Sequence, residues 1–84
     1  MTIEFELEQE LTKKRAAINM QIIDGLLNDT QKFAQEMLEF AKFCKEKNLT
    51  SVISTEIFDF SEHVAGRTGI DSKSYRDAYK AAAS

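Results

Sequence analysis

The side chains able to do chemistry here are few. Cys44 is the only cysteine and His63 the only histidine. A thiol and an imidazole together make a nucleophile–base pair, but these two stand far apart and carry no recognisable local signature. One Cys and one His cannot build a zinc site of the usual type. A lone cysteine also excludes an intramolecular disulfide, which fits a reducing compartment. Set among Phe40, Ala41 and Phe43, Cys44 reads as a small buried hydrophobe. Carboxylates cluster at the start, at Glu4, Glu6, Glu8 and Glu10. Acid–base work would require a dry pocket around them, and no Gly-rich phosphate loop or Ser-His-Asp order accompanies them. No catalytic residue, metal site or cofactor is therefore expected, and the chain is not expected to be an enzyme.

Two other sets suit recognition. The acidic start is suited to a basic segment of a partner, with Glu4, Glu6 and Glu8 as the contacts. Tyr75, Arg76 and Tyr79 form a candidate anchor patch, since Tyr and Arg are enriched where binding energy concentrates. The stretch 61–80 offers an alternative. Ala65 and Gly69 have the four-residue spacing of a helix-turn-helix, with Val64, Ile70, Tyr75 and Ala78 at apolar positions around them. A recognition helix would present Ser72, Lys73, Arg76 and Lys80 to nucleic acid. The basic footprint is weak: residues 61–84 hold four cations, Arg67, Lys73, Arg76 and Lys80, against Glu62, Asp71 and Asp77. Phosphate contacts supply most of the affinity for DNA, so this reading ranks second.

The elements that must position these groups are helical. Eighty-four residues make one domain, 1–84, and 43% apolar with 30% charged residues suits a small folded core. Zero Pro and three Gly leave little turn chemistry for a β-sandwich. Residues 3–7 alternate as a strand would, but no partner strand exists. A helix capped by Thr2 is preferred, with Leu7, Leu11, Ile18, Ile22 and Leu26 on one face and Arg15 interrupting it. Asn28 is placed to end this helix in the left-handed conformation, and Gly25 to weaken its last turn. Asp29 or Thr30 caps a second helix over 31–47. Its stripe of Phe33, Met37, Phe40, Ala41 and Cys44 makes it the central one. Asn48 ends it. The β-branched pair Val52-Ile53 delays a third helix to Ser54 or Thr55. Gly66 ends or weakens that helix, Gly69 bends the chain, and Asp71 or Ser72 caps a short fourth helix. The expected fold is all-α, a compact bundle of three to four helices with a helix-turn-helix-like C-terminal corner.

Six Phe are a heavy load for so small a core, so a groove or dimer face is expected to stay exposed. No apolar run approaches the ~20 residues that cross a bilayer. The acidic start lacks the basic-then-apolar order of a secretory signal, so a cytoplasmic location is expected. The sequons Asn28-Asp29-Thr30 and Asn48-Leu49-Thr50 then read as helix punctuation.

Three stretches carry a resemblance to a known family: Glu4-Phe-Glu-Leu-Glu-Gln-Glu-Leu11, Met37-Leu-Glu-Phe-Ala-Lys-Phe-Cys-Lys45 and Lys73-Ser-Tyr-Arg-Asp-Ala-Tyr-Lys80. Across its length the chain resembles the small cytoplasmic antiholins, the lysis-inhibition accessory proteins of T4-like phages. The resemblance implies a soluble helical protein that binds the cytoplasmic segment of a phage holin and delays host lysis. It carries over no catalytic residue.

Overall fold

The computed structural model describes residues 3–84, with side chains from Phe5 onward. The Thr2 cap and the Glu4 side chain lie outside the described residues. Four helices form, as the periodicity requires: α1 (Ile3–Ile23), α2 (Thr30–Glu46), α3 (Ile53–Thr68) and α4 (Ser72–Ala83). Residues 3–7 are helical, not extended.

The first break differs from expectation. Helix α1 stops at Ile23, and Gly25 takes the left-handed conformation at φ +76°, the role assigned to Asn28. Without a Cβ, glycine enters that region at least cost. The early stop removes Leu26 from the apolar face. It is 58% exposed, and Leu27 takes the buried place. Asp29 caps α2, its carboxylate accepting from the Lys32 amide at 2.8 Å. Asn48 closes the helix at φ +59°, as expected.

A single 3-10 turn over Thr50–Val52 absorbs the β-branched run, and the α-helical geometry begins at Ile53, a residue earlier than expected. Gly66 does not end α3. The helix runs through it to Thr68, and Gly69 stops it at φ +80°, its amide bonded to the Ala65 carbonyl at 2.9 Å. Asp71 is the extended residue before α4, but its side chain makes no capping bond.

Helix α2 is central and touches each of the other three, with its most extensive contact to α4. It buries Phe33, Ala34, Met37, Phe40, Ala41 and Cys44. Leu11, Ile18 and Ile22 of α1 and Ile57, Phe60 and Val64 of α3 complete the core. Edge-to-face rings tie the layers together, Phe33 to Tyr75 at 5.1 Å and Phe40 to Phe60 at 5.7 Å. Arg15, where the α1 stripe is interrupted, reaches Glu56 on α3 at 2.7 Å, while its Nε is buried without a hydrogen-bond partner.

Candidate functional site

The α3–α4 corner places most of the residues singled out from the sequence. Tyr75 is fully buried, so it belongs to the core and not to the anchor patch. Its ring faces α2, and its hydroxyl sits 2.8 Å from Thr68 Oγ1. The Thr68 proton goes to the Val64 carbonyl at 3.1 Å, so Tyr75 donates to Thr68. The Ile70 amide donates to the same oxygen at 3.2 Å. The Ala65/Gly69 spacing thus produces a tight turn fastened by one threonine.

Arg76 lies one position round the helix and stays half-buried. Its guanidinium stacks 4.8 Å from the Phe58 ring centroid, a cation–π contact that keeps an exposed aromatic in place. The same Nη1 donates to Ser61 Oγ at 3.1 Å and lies 3.5 Å from Glu62. Ser61 is fully buried and donates in turn to the Phe58 carbonyl at 2.7 Å. Phe58, Ser61 and Arg76 therefore act as one unit. Sequence reasoning did not single out Phe58 or Ser61. The available signal was that Phe58 falls off the Ile53–Ile57–Phe60–Val64 spacing, which turns it to the surface.

Beside this unit an open groove runs between the start of α3 and the end of α4. Ile53, Ile57, Phe58 and Tyr79 give it apolar walls, and Arg76 and Lys80 border it with positive charge. Burial, and secondarily the neighbouring Cys44, hold the Tyr79 phenol above its ordinary value, so it remains a hydrogen-bond donor at neutral pH.

Neither a family model, nor a curated protein, nor a solved structure matches this chain. Among the described residues no group of His, Cys, Asp and Glu is placed to hold a metal ion, and no helix is long and apolar enough to cross a membrane. Cys44 is fully buried and His63 exposed, so the two do not share a site.

The four residues of the nucleic-acid reading do not form a free basic face. Lys73 bonds Asp77 at 2.8 Å, which holds the ammonium above and the carboxylate below their ordinary values. Ser72 donates to Glu62 at 3.3 Å, and Arg76 is committed to Phe58, Ser61 and Glu62. Lys80 alone of the four makes no side-chain hydrogen bond or ion pair among the described residues, though its charge acts on Asp77. The acidic start lies elsewhere, with Glu6 and Glu8 both exposed on α1.

Proposed function

We propose that this chain is a small non-enzymatic regulator that acts by stoichiometric protein binding, as the antiholins it resembles do. The observation that supports this reading is the α3–α4 groove. Its apolar walls fit one face of an amphipathic helix, and its cationic border fixes the orientation of what lies there. Phe58 and Arg76 form a rigid aromatic–guanidinium pair, the residue types in which binding energy concentrates. In the antiholin reading, the occupant is the cytoplasmic segment of a phage holin, held away from its own assembly so that lysis is delayed. The protein would act in the host cytoplasm. The anchor patch is amended from the sequence expectation to Phe58, Arg76, Tyr79 and Lys80, with Tyr75 beneath it, while the acidic start at Glu4, Glu6 and Glu8 remains the second proposed contact.

A tagged pull-down from producing cells tests this, with half of the lysate treated with nuclease. Capture of a single membrane lysis protein in both halves, lost in Phe58→Ala and Arg76→Ala chains, is the expected result. Capture unaffected by both substitutions would remove the groove from the reading. Co-purification that disappears after nuclease would favour the helix-turn-helix alternative.

A further inference from the structure

We propose that the chain pairs with a second copy of itself, the acidic start of each α1 occupying the α3–α4 groove of the other. The inference stands without any capture of another protein, and because it fills the same groove, pairing and such capture would compete. The groove calls for an apolar side chain flanked by carboxylates, because its apolar walls are bordered by the exposed Lys80 and by Arg76, whose charge is shared with Glu62. The chain carries that chemistry itself. Residues 4–10 hold four Glu and no cation. Within them Phe5 is 45% exposed, and Glu6 and Glu8 are exposed and make no ion pair among the described residues.

Intramolecular docking is excluded by the packing. Among the described residues α1 lies on α2 and α3 and does not touch α4. The positions also favour a closed pair. Glu10 reaches Lys47 at the end of α2, and Glu8 and Leu11 line a hollow with Leu49 and Val52, one residue before Ile53 of the groove. The acidic start and the groove thus share one end of the bundle. Two copies meeting at that end satisfy both contacts across one two-fold axis, whereas groove and start at opposite ends would build a filament.

Sedimentation equilibrium over a range of concentrations tests the pairing. The wild-type chain should show a monomer–dimer equilibrium that weakens as salt rises, since exposed charges are screened. Reversing the start (Glu6→Lys with Glu8→Lys) should weaken dimerisation at least tenfold. So should reversing the groove border (Arg76→Glu with Lys80→Glu). Lys80→Glu alone serves as a second groove variant, because Lys80 is exposed and its loss leaves the Arg76–Ser61 bond intact. Mixing start-reversed with groove-reversed chains should restore a hetero-pair, since both reciprocal contacts are then complementary. A wild-type chain that stays monomeric to about millimolar concentration overturns the proposal. So does a dimer indifferent to both reversals, a mixture that fails to associate, or growth beyond two copies.

Discussion

The Tyr75 hydroxyl donates to Thr68 Oγ1 at 2.8 Å across the turn that joins α3 to α4. Thr68 is at the same time a donor to Val64 and an acceptor for Ile70, so one side chain fastens the end of a helix, the turn and the next helix. This explains why a residue with the look of a surface anchor is fully buried. Tyr75→Phe retains the ring against Phe33 and loses only the hydroxyl, at a cost of about 1 kcal/mol. Tyr75→Ala removes a buried aromatic and should cost about 3–5 kcal/mol. Urea unfolding followed by circular dichroism measures both. Equal costs would show that the ring contributes nothing.

Two glycines should respond in opposite directions to the same substitution. A Cβ at either Gly66 or Gly69 meets nothing within 4 Å, so packing drops out and only backbone preference is left. Gly69 sits at φ +80°, and Gly69→Ala should destabilise by about 1–2 kcal/mol. Gly66 lies inside α3, and Gly66→Ala should stabilise by up to about 1 kcal/mol. In a domain of this size, each kcal/mol moves the melting temperature by about 4–8 °C, so thermal scans resolve the two.

The ion pair between α1 and α3 should be asymmetric under mutation. Arg15 already leaves its Nε unsatisfied, and Glu56 is its ion-pair partner among the described residues. Glu56→Ala strands a partly buried guanidinium and should cost about 1–2 kcal/mol. Arg15→Met preserves the aliphatic cover but strands the Glu56 carboxylate, the more buried partner at 14% exposure, so it should cost more, about 3 kcal/mol. Chemical denaturation of the two variants side by side distinguishes the outcomes.

Burial, and then the Glu56 carboxylate, push the Cys44 thiol above its ordinary 9.0, with Arg15 opposing. The folded chain holds that proton more tightly than the unfolded one. Its contribution to stability is therefore complete below about pH 9 and is lost as pH rises through the folded-state value. Cys44→Ala should flatten the alkaline decline of the unfolding free energy. A thiol reagent should label native Cys44 only as fast as the chain opens. Rapid labelling at neutral pH would contradict the burial.

The core was legible because α2 repeats its apolar residues at helical spacing, so that Phe33, Met37, Phe40 and Cys44 name their own face. The corner was legible in outline from Ala65 and Gly69. What escaped was which side of α4 faces inward. Tyr75 and Tyr79 stand four apart on one stripe, and only the α2 contact decides that the first is sealed and the second half-open. The end of α1 was misassigned for a related reason. Gly25 and Asn28 both tolerate positive φ, and their competition settles whether Leu26 or Leu27 reaches the core. The groove depended on Phe58 and Arg76, whose pairing spans 18 residues and leaves no periodic trace.

The principal neighbour of α2 is α4, and the two are separated by the whole of α3. A ribosome that has exposed only residues through Glu46 has delivered the stripe of Phe33, Met37 and Phe40 with α1 beside it but without α4, its principal cover. Folding must therefore wait until Tyr75 and Tyr79 have emerged. Until then the nascent chain presents the helix that supplies most of its core to the cell, which makes early synthesis the stage at which a chaperone or an aggregate would find it.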